Sequence, residues 1–475
     1  MTRIKTTLKF GVLILTSCLL LACGSETATS ISIAPNSTSK PAENLEPPLV
    51  KKWDYRAAKP DLAVRVLQLS PDNQTAFLLE TNETTAAEVV ALNLSSGQVK
   101  WRIDITSLIY DKAGFFQIFS LADNNTLYLT PLSSSGGLLM ALDASNGTKK
   151  WEYKVDPTLA FRGTTIENQG ENLFVAFETP EVLEVLKDKA RTYYLVSINK
   201  KSGAKNWEFK TDDAEFVKRV RASSPGIYLT TSPQLLYLQT GDKLIYAIEP
   251  TSGKLSWKLS QSQTNGGKLL NAYKEGALVL VGNPPDLTKW EVRAVGVKDG
   301  ATLWNVPLTT PKDELVAQGY FLSGENTLYL TSSRSTTKDG RLTSIDLAKG
   351  ILKWDYSDPR FYASGSGGKD SVETMANQSY VYSFGFFNPG ILVLDAATGK
   401  PVWQLDDTNY FGLLATKETL YTATDTKLLG FSLATGKQTW SVALRANSRV
   451  AYRIQNNGDL VLFALRNGLL AYGRA

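Results

Sequence analysis

The side chains that most often do chemistry are nearly missing from this chain of 475 residues, which holds two cysteines, Cys18 and Cys23, and no histidine. Without histidine the commonest general base and metal ligand is gone, and with it the usual serine triad and the usual zinc and copper sites. Carboxylates remain. Asp212, Asp213 and Glu215 in TDDAE, and Asp406 and Asp407 in LDDT, are spaced to bind calcium or to act as an acid–base pair. They follow outer strands, where solvated loop charge is the plainer reading, so no catalytic residue and no metal site is expected. A second series, Asn93, Asp143, Asn199, Glu249, Asp346 and Asp395, stands four residues before a recurring glycine. These side chains read either as metal ligands or as acceptors for turn amides. Gly296 and Ser432 at the same position speak for turns.

The elements that carry these residues are copies of one unit. Eight glycines are each followed four residues later by a tryptophan: Gly97 and Trp101, Gly147 and Trp151, Gly203 and Trp207, Gly253 and Trp257, Gly300 and Trp304, Gly350 and Trp354, Gly399 and Trp403, Gly436 and Trp440. The tryptophans recur at intervals of 50, 56, 50, 47, 50, 49 and 37 residues, the signature of a repeat array. Between Trp304 and Trp354 lie the runs VAQGYFLS, NTLYLTSS, RLTSIDL and ILKWDY, divided by turn residues. They predict a four-stranded antiparallel meander with the glycine in the turn between strands three and four, at positive φ. One such sheet hides neither face, whereas a radial array covers both, so the predicted fold is an all-β propeller. The tryptophans are expected to bridge neighbouring blades, each contributing on the order of a few kcal/mol of burial. Three runs after Trp440 and one around Trp53 predict a further blade closed by both termini; strand arithmetic gives nine blades, and eight remains open if a terminal unit lies outside the ring.

Residues 1–22 carry Arg3, Lys5 and Lys9 before the apolar run FGVLILTSCLLLA, which predicts a secretory signal rather than a membrane span. The junction Leu20, Leu21, Ala22, Cys23, Gly24 resembles the lipobox of bacterial lipoproteins, which implies cleavage before Cys23 and acylation of its thiol. The mature chain is then tethered to a membrane without spanning it and has no disulfide. Residues 23–49, rich in Ser, Thr and Pro, predict a disordered tether, leaving 50–475 as the propeller. Loss of the signal leaves 48 basic against 46 acidic residues, a balance unsuited to nucleic-acid binding.

ALDASNGTKKW and VLDAATGKPVW resemble the tryptophan-docking repeat of the quinoprotein (PQQ-like) propellers, a superfamily that includes quinone-dependent alcohol dehydrogenases and the BamB-type lipoprotein of outer-membrane β-barrel assembly. The resemblance covers residues 50–475 and implies fold rather than activity, because the motif joins blades in enzymes and scaffolds alike. The dehydrogenases use an adjacent-cysteine disulfide against the quinone and often couple to haem; neither is expected in a mature chain lacking Cys and His. Neither pyrroloquinoline quinone nor calcium is therefore expected. The anchored-scaffold branch implies envelope protein partners, a membrane contact through lipid on Cys23 and a monomeric domain. It also implies an outer membrane facing the periplasm in a diderm host, or the outer face of the cytoplasmic membrane otherwise. Two alternatives stay open, a binding module for cell-wall glycan or another small extracellular ligand, and a quinone-dependent dehydrogenase.

In such blades the turns joining strands one to two and three to four share one face. The long, unequal segments 178–194, 283–290, 332–341 and 357–372 fall on the other, which predicts a recognition rim. Arg360, Phe361 and Tyr362, with Tyr410 and Phe411 from the next connection, are the expected anchors for a partner, against the alternative that their rings seal the strand ends.

Overall fold

A computed structural model describes residues 46–474 other than parts of the connections between strands, the longest of these being 110–117, 179–191, 213–226 and 362–372. Cys23, the signal and the tether lie outside the described residues. Among the described residues nine four-stranded antiparallel sheets form a nine-bladed propeller. Blades 1 to 8 follow chain order over 63–104, 118–154, 162–212, 228–259, 268–308, 314–358, 373–406 and 411–443. The ninth joins Val450–Asn456, Leu460–Leu465 and Gly468–Arg474 to the N-terminal strand Leu49–Arg56, which pairs antiparallel with Gly468–Arg474 as the outermost strand. Nine, not eight, is the number because both termini are consumed in this blade. The first strand starts at Leu49, and Glu46 already contacts blade 8.

The middle strands of a blade are buried on both faces, as in Thr75–Thr81, where every residue is buried. Their alternate side chains feed two different cores. One core joins Trp53, Tyr55, Leu462 and Ala471 of the closing blade to Val64, Leu78, Val90 and Leu92 of blade 1. Another joins Phe463 and Tyr472 of the closing blade to Tyr421, Leu428 and Trp440 of blade 8. Stability therefore sits between blades, which is why no copy is complete alone.

Each outer strand carries one extra residue immediately before its tryptophan, a β-bulge that turns the indole toward the next blade. Lys100, Asn206 and Leu303 are such residues, and Lys52 is the equivalent before Trp53. The residue paired with the tryptophan is small in every blade but the seventh, where it is Val393; Ala91, Ser197 and Gly430 are such residues, as is Ala471 in the closing blade. In seven of the nine outer-strand tryptophans the indole Nε1 then donates to a carbonyl in the following blade's turn, three residues ahead of that turn's glycine. Trp53 reaches Leu94 O at 2.8 Å, Trp151 Lys200 O at 2.8 Å, and Trp354 Ala396 O at 3.0 Å. The glycine has two reasons to be there. At Gly203 φ is +71°, a region costly for a residue with a Cβ, and a Cβ would fall 2.6 Å from Trp151 Cδ2. Seven of the eight turn glycines have an indole as nearest neighbour; at Gly300 Leu259 comes closer than Trp257.

Candidate functional site

The two faces of the ring differ in construction. On one, the turns between strands one and two and between strands three and four span two to six residues in every blade. They are bonded to each other, as in Leu94 N to Gln74 O and Ala396 N to Ser379 O, both 2.9 Å. The side chain four before the glycine accepts turn amides: Asp143 Oδ1 takes Ser145 N at 2.8 Å, and Asp395 Oδ1 takes Thr398 N at 2.8 Å. Asp143 is pulled down to about 2, first by the Ser145 hydroxyl, then by the Ser145 amide, with Lys150 adding to them. These residues close turns; they do not converge on a metal, and among the described residues no three His, Cys, Asp or Glu side chains do. A groove of about 350 Å³ opens on this face between blades 1 and 2. Its lysines are taken: Lys100 Nζ lies 3.0 Å from Thr75 Oγ1 and Lys150 Nζ 2.6 Å from Asn125 O.

On the opposite face the connections run from two to fifteen residues. The unevenness is distributed differently from the sequence expectation. Segment 332–341 is mostly strand, because Thr327–Arg334 and Asp339–Asp346 pair along their whole length and leave 335–338 as the connection. The longest connection, 213–227 after blade 3, was not among the expected rim segments; its only signal was the charged run DDAEFVKRVR.

Three of the expected anchors, Arg360, Phe361 and Tyr410, are buried instead of projecting from this face. Arg360 and Phe361 lie in a single 3-10 turn, Pro359–Phe361, at the end of blade 6, and are 7% and 0% exposed. The guanidinium is held on both edges: Nε and Nη2 each lie 2.7 Å from the Asp358 carboxylate, Nη1 2.7 Å from Asp406 Oδ1, and Nη2 3.0 Å from Gln404 Oε1. Burial works against its charge, but Asp358 and then Asp406 raise its pKa above the ordinary value. Phe361 sits edge-on to Tyr356 in the core shared with blade 7, and its carbonyl lies where a Cβ on Gly340 would be. Tyr410 is 8% exposed, edge-on to Phe431, and Phe411 is half-buried at the start of blade 8. Tyr362 lies outside the described residues. The physical reason for the difference is pairing: an arginine that finds two carboxylates across a blade gap is worth more there than in water. Asp406, whose acid–base or calcium reading stands beside the expectation of solvated loop charge, is an ion-pair partner of Arg360. The Asp212 side chain, Asp213, Glu215 and Asp407 lie outside the described residues.

A second buried charge was not anticipated. Glu80, fully buried in blade 1, accepts from the Tyr55 hydroxyl, from Ala58 N at 3.1 Å and from Arg102 Nη1 at 3.0 Å, while Arg102 Nη1 also meets Glu88 at 3.1 Å. Burial first, then Glu80, pushes the Tyr55 phenol well above its ordinary range. The network ties the N-terminal strand of the closing blade to blade 1. A carboxylate inside the otherwise apolar run TAFLLE is the signal that could have found it.

The family model described as outer membrane protein assembly factor BamB matches residues 53–208 and 191–442. No curated protein matches the chain. Among solved structures it is similar to BamB from Moraxella catarrhalis, at 12% identity and TM-score 0.45 over 90% of this chain and 99% of that one. It is also similar to the quinohemoprotein alcohol dehydrogenase of Comamonas testosteroni, at 12% identity and TM-score 0.45 over 90% of this chain and 77% of that one. A europium-containing methanol dehydrogenase aligns at 14% identity and TM-score 0.43 over 90% and 93%. With its matched residues covering most of the propeller, the chain belongs to the family of the outer membrane protein assembly factor BamB.

Proposed function

We propose that this protein is a non-catalytic scaffold of the cell envelope, anchored by lipid on Cys23, that binds protein partners through the face carrying its uneven connections. The observation that carries the reading is the contrast between faces: one is built of short, mutually bonded turns repeated in every blade, while length varies on the other. Membership of the BamB family supports a protein-binding propeller in the envelope. The non-catalytic part is supported by the residues themselves. The chain has no histidine, no cysteine beyond Cys18 and Cys23, and its described acidic candidate Asp406 is engaged by Arg360.

The test is capture of envelope proteins after in-cell crosslinking, comparing the native chain with one in which 179–191 and 213–226 are each replaced by short Gly/Ser turns, keeping the buried Ile227. Partners are expected to be lost while the thermal transition is kept. Capture that survives both replacements and disappears on changing exposed turn residues instead would place binding on the wrong face for this reading. Supplying pyrroloquinoline quinone and calcium is expected to give no turnover of a redox dye, and turnover would return the dehydrogenase reading.

A further inference from the structure

The outer strands of the ring are not equally covered. Where each leaves its docking turn, blades 4 to 7 all expose aliphatic side chains: Leu255 at 47%, Leu303 at 56%, Ile351 and Leu352 at 50% and 48%, and Val402 at 38%; outside this run of four, blade 1 exposes Val99 at 42%. Blades 2 and 3 carry lysines there instead, Lys149 paired with Glu152 at 2.7 Å and Lys205 with Glu208 at 3.0 Å. In blades 4 to 7 an exposed lysine of the same turn accompanies the aliphatic group: Lys254, Lys298, Lys349 and Lys400. The carboxylates of these turns are bent back onto local donors, Asp299 onto Ala301 N at 2.9 Å and Asp346 onto Lys349 N at 3.0 Å.

Two further observations say what lies against this arc. The apolar groups fall one or two per blade, within three residues after the docking glycine, in four successive blades, a spread that matches a broad surface better than a compact protein knob. The chain ahead of the propeller also departs from this face. Glu46 is fastened to the turn at 416–419 by the Thr416 hydroxyl at 2.6 Å, the Glu418 amide at 3.1 Å and the Thr419 hydroxyl, and only 22 residues separate it from Cys23. Aliphatic side chains set beside lysines at the same end of successive outer strands are the composition that settles into the headgroup region of an anionic bilayer. We propose that the short-turn face of blades 4 to 7 rests on an anionic phospholipid surface, so that the opposite, uneven face is presented away from the membrane. This rests on the anchored reading above, because acylation of Cys23 is what holds the face near lipid.

The test uses the full chain reconstituted into phosphatidylcholine–phosphatidylglycerol vesicles, with acylation of Cys23 read separately from the mass of the N-terminal peptide. An environment-sensitive probe is placed at Leu303→Cys or, as a control on the other face, at Asp425→Cys, and nitroxide-labelled lipid is the quencher. Quenching several-fold stronger at 303 than at 425 is expected, falling in phosphatidylcholine alone. A probe at Val402→Cys should lose its quenching when Leu303→Ser, Ile351→Ser and Leu352→Ser are combined, all exposed changes that leave the cores intact. An acylated chain quenched equally at both sites, or at neither, overturns the membrane-facing surface while leaving the anchor standing. Self-quenching at 303 that rises with protein density in vesicles without nitroxide would assign the arc to a second copy and also overturn it.

Discussion

The short-turn face and the uneven face of this ring are made from the same strands, yet they answer to different constraints. On the first, an indole from one blade, a glycine from the next and a carbonyl three residues before it must meet within contact distance, and seven turns keep that arrangement. The second has no such rule, and its connections range from two to fifteen residues. A face that is fixed by packing cannot change sequence to acquire a partner without loosening the ring, whereas the other can. On the proposed reading, recognition and stability are in this way separated to opposite ends of the blades.

That separation can be broken in graded steps. The largest effect is expected at the seam where the termini meet. Glu80→Ala leaves the Tyr55 hydroxyl and Ala58 amide without their buried acceptor and deprives Arg102 of one partner, at about 3 kcal/mol, read as a lower urea midpoint. Next is Gly203→Ala, where a Cβ at positive φ must also displace the Trp151 ring; about 2 kcal/mol is expected, with partner capture unchanged. A smaller effect attaches to Asp143. Its folded pKa of about 2 lies below the model-peptide 3.8, so its contribution is complete above pH 4 and is lost as pH falls from 4 toward 2. Asp143→Asn should therefore lower the neutral plateau and flatten the acid limb of a stability–pH curve, with the two proteins converging near pH 2. The smallest effect on stability is expected from shortening 179–191, within about 0.5 kcal/mol, because loop-closure entropy changes slowly with length.

The sequence made the repeat easy to read because Gly203 and Trp207, like their seven counterparts, are constrained by local geometry that recurs in the chain itself. The ninth docking indole was hidden for the same reason. Trp53 has the bulge, the small partner Ala471 and the carbonyl acceptor Leu94, but no glycine four residues earlier, since its strand begins where the chain enters rather than after a turn. At the other side of that blade, Trp440 Nε1 donates to Leu49 O at 3.1 Å, the entering strand standing in for a turn. The rim was harder. Arg360 looks solvent-facing from its neighbours in sequence, and only the fold brings Asp406, 46 residues later, within 2.7 Å. Contacts of that kind are set by which blades adjoin, a property of the closed ring rather than of any single segment.

The most direct test of the division between faces is site-specific photo-crosslinking in intact cells, with the photoreactive residue placed at Lys187, Thr337 or Asp425 on the uneven face and at Thr251 or Thr435 in docking turns. Protein adducts from at least one of the first three positions and none from the turn positions is the predicted outcome. Protein adducts confined to Thr251 and Thr435 would contradict it.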